Sequence, residues 1–92
     1  MNAAIISELN TIITKEELVR NFEVNKFLAR AAWQTVRECR RHHKVEEETK
    51  HLANYYRIVF ENEDIAKILK AFGFPEYWEE AMSAEYSRML TA

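Results

Sequence analysis

Cys39, His43, Glu47 and His51 follow one another at intervals of four residues, and all four are zinc-ligating types. On an unbroken helix, neighbours in this ladder could share an ion. All four could not, because each step of four advances about 6 Å along the axis. Such spacing alone is a weak signal, and a charge switch near residue 44 puts a helix break inside the ladder. The expectation is a half-buried Cys39 beside solvated histidines, with no metal and no other cofactor.

Acid–base chemistry is the next case. His42, His43 and His51 could each be set against a carboxylate, but among 14 Glu such pairs arise by chance. No nucleophile sits in a glycine-containing elbow, and no Gly-rich loop opens a helix. The chain has one Gly and one Pro, so it lacks material for a phosphate-cradling turn. A chain of 92 residues also has little room for a ligand-burying cleft and the shell that supports it. The expectation is a protein with no catalytic residues, not an enzyme.

One constellation is more informative. Lys26, Arg30, Gln34, Arg37, Arg41 and Lys44 follow steps of four, four, three, four and three. At about 100° per residue they fall within an arc of about 80°. Leu28, Ala32, Thr35, Val36 and Cys39 lie roughly opposite and form the expected core side. The basic front is about 27 Å long at 1.5 Å per residue. Trp33 stands at its margin, one turn before Arg37, in reach of a cation–π contact. A second candidate surface is the run Phe72 to Trp78, which has four aromatics in seven residues. Phe72 and Trp78 are expected in the core there, which leaves Phe74 and Tyr77 as candidate contacts.

These residues need elements to position them, and the composition points to helices alone. Ala, Glu, Lys, Leu and Arg supply 44 of 92 residues, and Glu outnumbers Asp by 14 to 1. Glu is a good interior helix residue, whereas Asp favours caps. Alternating apolar runs bounded by turn residues are absent, so no sheet is expected. The pattern predicts one all-α domain over residues 1–92, built of five or six short helices.

Asn2 is the expected first cap, with Ile5, Ile6, Leu9, Ile12 and Ile13 as one stripe. Thr14 and Glu17 have capping-box spacing and predict a short second helix to about Phe22. Asn25 then caps a third helix, to about His43. Arg40 to Lys44 are basic and Glu46 to Glu48 acidic, the order the helix macrodipole favours at a break between two helices. A fourth helix carries Val45, Thr49, Leu52, Tyr56 and Val59 at spacings of four and three. Asn62 caps a fifth, with Ile65, Ile68, Leu69 and Phe72 buried. Gly73 stops it, and Pro75 opens a last helix with Trp78, Met82, Tyr86 and Met89 on one side.

Net charge is −2, which conceals an uneven distribution. Residues 1–44 hold eight basic against five acidic groups, and residues 45–92 hold five against ten. The longest apolar run is four residues, Ala3 to Ile6, far below the roughly twenty of a membrane span. No charged n-region precedes it, so a secretory signal is not expected. One Cys fits a reducing, cytoplasmic setting.

The expected function is that of a small interaction protein that docks its basic helix face onto an acidic protein surface or nucleoprotein complex and modulates or inhibits it. Short chains without catalytic signatures suit accessory proteins, including anti-defence proteins of phages and other mobile elements. Self-association into a homodimer is compatible with this, and no membrane is involved. The alternative is a nucleic-acid-binding regulator with a helix-turn-helix-like segment at residues 14–44. Glu23, where such turns commonly take Gly, and a pI of 5.9 weigh against it.

Overall fold

No Gly or Pro occurs before Gly73, and the helices run correspondingly long. The computed structural model describes the backbone of residues 3–92 and the side chains from residue 14 onward. Asn2 and the expected isoleucine stripe therefore lie outside the described residues. Helix α1 spans Ala3–Arg41 and α2 Val45–Ala71, antiparallel to it; α3 (Glu76–Ala81) and α4 (Ala84–Leu90) complete the order. The class is all-α, with four helices among the described residues in place of the expected five or six.

The missing breaks share one cause. Asn25 and Asn62 are not caps: both are buried inside continuous helices, at 8% and 1% exposure. Residues 14–41 form uninterrupted helix, so no turn exists at 23–25 and the helix-turn-helix layout is absent. Thr, Asn and similar residues cost a helix only about half a kcal/mol each relative to Ala. Burial of a face on a neighbouring helix outweighs that.

Where the chain does reverse, the backbone turns left-handed. His43 has φ 57° and Gly73 φ 94°. The Lys44 N–H donates to the Cys39 carbonyl at 2.9 Å and the His43 N–H to Arg40 at 3.2 Å. At the far end the Phe74 N–H donates to Leu69 at 2.9 Å and the Gly73 N–H to Lys70 at 3.0 Å. Both are Schellman motifs, which satisfy the last carbonyls of a helix. The expected break near residue 44 is present, and so is the Gly73 stop. Pro75 immediately precedes α3 in helical conformation, φ −75°.

The expected last helix is divided by Ser83. Its backbone is extended (φ −78°, ψ 148°) and its Oγ accepts from the Tyr86 N–H, which caps α4. Met82, expected on the inner side, is exposed at this corner. Helix α3 lies on α2, and α4 folds back onto α1.

The core gathers Phe22, Ala29 and Ala32 of α1, Tyr55, Ile58, Ile65, Ala66 and Leu69 of α2, Ala81 of α3, and Tyr86 and Leu90 of α4. Phe22 is fully buried, edge-on to Tyr77 at 5.5 Å and stacked on Tyr86 at 6.1 Å. Truncating such a ring costs about 3–5 kcal/mol. Asn62 crosses this core: its Nδ2 donates to the Phe22 carbonyl at 3.1 Å and the Tyr86 hydroxyl at 2.9 Å.

The α2 core face is rotated from the expected one. Tyr55 and Ile58 point inward, whereas Val45 and Tyr56 are exposed and Leu52 and Val59 half-buried. Ile65 and Leu69 are buried as expected, but Ile68 and Phe72 are exposed. Leu28, expected on the core side of α1, is also exposed, while Ala32, Val36 and Cys39 are buried. Among the described residues, no helix is long and apolar enough to cross a membrane.

Candidate docking face

The outward side of α1 is set by its inward side. Phe22, Asn25, Ala29, Ala32, Val36 and Cys39 are buried at steps of three and four, so α2 covers that face. Arg30, Gln34, Arg37 and Arg41 are exposed. They rise along about 16 Å of helix, at 1.5 Å per residue.

The two ends of the expected stripe behave differently from its middle. Lys26 is half-buried: its Nζ lies 2.9 Å from a Glu23 oxygen and 3.1 Å from a Glu80 oxygen. Desolvation pulls its pKa down, but the hydrogen bonds to Glu23 and Glu80 outweigh that and leave it raised. Lys26 therefore ties α1 to α3 and leaves the docking face. Lys44 sits in the turn ahead of α2, with its Nζ 3.8 Å from Glu47.

In between, Arg41 makes an exposed pair with Glu38 at 3.2 Å, an arrangement that contributes about 0–1 kcal/mol. Arg30 and Arg37 make no ion pair among the described residues. Trp33 is half-buried, its ring 5.1 Å from that of Tyr55. The cation over it is Arg40, at 5.3 Å, not Arg37. Arg40 also bonds Glu48 at 3.1 Å, so this corner braces the hairpin.

Phe27 is a member the sequence reading overlooked. It is 72% exposed and shares a shallow depression with Arg30, Ala31 and Gln34. The signal was present, since 27, 30, 34, 37 and 41 alternate steps of three and four, the spacing of a narrow helix seam. A seam traced through basic residues alone starts one position early, at Lys26.

At the second candidate surface, Phe74 and Tyr77 line a groove together with Lys15, Glu16, Val19 and Arg20. Phe74 and Tyr77 are half-buried against the core, with the Lys15 ammonium 4.0 Å above the Phe74 ring. Phe74 follows the left-handed Gly73, where a Schellman motif turns an apolar side chain back onto the helix it ends. Trp78 is half-buried beneath Lys67 and Lys70.

The zinc-type ladder is divided by the turn. Cys39 is buried on α1, His43 is the left-handed residue of the break, and Glu47 and His51 belong to α2. Among the described residues, no three His, Cys, Asp or Glu side chains are grouped to hold a metal. His42 is bonded to Glu38 at 2.9 Å on the exposed side. Compared with protein-family models, curated proteins and solved structures, the chain shows no match.

Proposed function

We propose that this chain is a non-enzymatic docking protein that modulates or blocks a macromolecular partner bearing an acidic surface. The outward face of α1 is its contact. The carrying observation is the pair Arg30 and Arg37, exposed and without a carboxylate partner among the described residues, with the exposed ring of Phe27 beside Arg30. Arginine and aromatic side chains dominate binding hot spots. An unpaired guanidinium can form bidentate bonds to a carboxylate without first breaking an internal ion pair.

The non-enzymatic reading draws support from the groups whose protonation the fold perturbs. Lys26, Tyr55 and Tyr86 all brace helix packing. A protein partner is favoured over duplex nucleic acid because the basic strip lies on one straight helix in an acidic chain of pI 5.9. Nucleic-acid binders usually carry a dominant basic patch. The mode of action suits a small inhibitor or accessory protein, the class to which anti-defence proteins of mobile elements belong.

The test reverses the charges. Arg30, Arg37 and Arg41 are changed to Glu together, and the tagged variant and parent are compared in affinity capture from a host lysate. The parent should retain a specific partner and the variant should lose it, because like-charge juxtaposition costs several kcal/mol. Helicity should be unchanged, since these side chains leave no core contact. Glu76, Glu79 and Glu85 to Lys is the control; Glu80 is spared because it holds Lys26. A folded triple variant that still captures the same partner excludes this face. A shift of random duplex DNA that fades steeply with salt would reassign the partner to nucleic acid.

A further inference from the structure

We infer that the chain pairs with a second copy of itself through the outward seam of α2. Val45, Thr49, Leu52, Tyr56 and Val59 recur at steps of four and three, and Phe60 adjoins them. The core of α2 centres on Tyr55, Ile58, Asn62, Ile65, Ala66 and Leu69; Leu52 and Val59 are half-buried at the inner edge of the seam, with Val59 packed against the core. Val45, Tyr56 and Phe60 are 71, 47 and 58% exposed, and Thr49 is exposed as well. In a chain that is 30% charged, this band of about 22 Å, at 1.5 Å per residue, contains no charge. The Thr49 hydroxyl is turned onto the Val45 carbonyl at 3.0 Å, so its hydrogen bond is satisfied within the helix. Tyr56 and Phe60 already stack on each other, with centroids 6.1 Å apart.

Two features choose a second copy as the occupant. First, strict four–three spacing is the seam of helices packed knobs-into-holes. The face that fits it is another with the same spacing, and a two-fold axis supplies one automatically. Second, the half of the hairpin beside this seam is only two helices thick. The hydrogen bonds, ion pairs and ring contacts that dock α3 and α4 fall on Phe22 and Lys26 of α1 and on Asn62, Lys67 and Lys70 of α2. Toward the turn, α1 offers mostly small core residues, Ala29, Ala32, Val36 and Cys39. A second α2 seated on the seam gives this thinner half of the hairpin a further helix to pack on.

Tyr56 and Phe60, each already about half covered, offer roughly half of the 150–250 Å² an aromatic side chain can bury, so the seam with Val45 and Thr49 reaches on the order of 400–500 Å² per copy, the range of small, readily reversible pairs. Pairing through α2 leaves the Arg30–Arg37 face of α1 free in both copies, so the two readings fail independently.

Sedimentation of the full chain across the micromolar range is the experiment. The parent should sediment as a dimer of twice 11.0 kDa, with a melting temperature that rises with concentration. Tyr56→Glu with Phe60→Glu should raise the dissociation constant by about a hundredfold or more, with helicity retained. If the glutamates unfold the chain, Phe60→Ser replaces them and should weaken pairing about tenfold. The triple Glu variant of α1 should still pair. A parent that stays monomeric with a concentration-independent melting temperature overturns the inference, as does a folded seam variant that pairs as tightly as the parent.

Discussion

Asn62 shows at the residue scale why a polar side chain is retained in a small core. It is 1% exposed, and its amide joins α1 and α4 by donating to the Phe22 carbonyl and the Tyr86 hydroxyl. Its own Oδ1 and the Nδ2 of Asn25 are buried without a protein partner among the described residues. Net, each hydrogen bond contributes about 0.5–1.5 kcal/mol, whereas stranding a buried polar group costs about 1–3 kcal/mol. Asn62→Ala should therefore destabilise by about 2–4 kcal/mol in urea melts, combining a cavity with a stranded Tyr86 hydroxyl. Asn62→Leu with Tyr86→Phe removes both partners and refills the space. That double variant should recover most of the loss, because replacing both members of a buried pair by apolar groups is nearly neutral. If it proves no better than Asn62→Ala, shape and not hydrogen bonding governs the layer.

At the scale of elements, the two helix stops make a matched pair with opposite expected responses. His43 and Gly73 occupy the same left-handed position of two Schellman motifs. A side chain in that conformation costs about 1–2 kcal/mol, against about 0.5–1 kcal/mol of extra chain entropy lost by glycine. His43→Gly should thus stabilise by about 0.5–1 kcal/mol, a rise of several degrees in melting temperature for a domain of this size. Gly73→Ala should destabilise by about 1 kcal/mol. Its cost lies in the backbone alone, since an added Cβ would meet nothing within 4 Å. Both stops were legible in the sequence, one as glycine before proline and the other as basic residues meeting acidic ones. The false stops at Thr14, Asn25 and Asn62 were not distinguishable, because a capping residue permits a helix to begin but cannot force the preceding one to end. The α2 seam was legible as a stripe but not as an outward one. Two stripes, 45–49–52–56–59 and 55–58–62–65–69, both have helical spacing, and the second contains an asparagine that made it look like a boundary. The candidate docking face was half legible: the exposure of Arg30, Arg37 and Arg41 follows from periodicity, whereas the engagement of Lys26 depends on Glu80, 54 residues away in sequence.

At the scale of the whole molecule, three groups that join the helices share one direction of titration. Burial raises the Tyr55 hydroxyl above its usual 10.0, with the nearby Tyr56 and Tyr86 adding to it. Burial likewise raises Tyr86, against the lowering effect of the Asn62 bond. Lys26 is raised above 10.5 because Glu23 and Glu80 outweigh its desolvation. A group whose folded pKa exceeds its unfolded value binds its proton more tightly when folded. Its contribution is fully present below the unfolded pKa and is lost as pH climbs through the folded one. For these groups that window opens near pH 10, so together they leave stability unchanged at neutral pH and lower it in alkali. Melting temperatures followed from about pH 8 to about pH 12 should hold level up to about pH 10 and then fall, with tyrosinate absorbance rising alongside loss of helix. Tyr55→Phe separates one term. It keeps the ring against Trp33 and removes an ionising hydroxyl that makes no hydrogen bond among the described residues, so it should be nearly neutral at pH 7 and flatten the alkaline fall. Unchanged stability above pH 11 in the parent would show that Tyr55, Tyr86 and Lys26 ionise without disturbing the packing between helices.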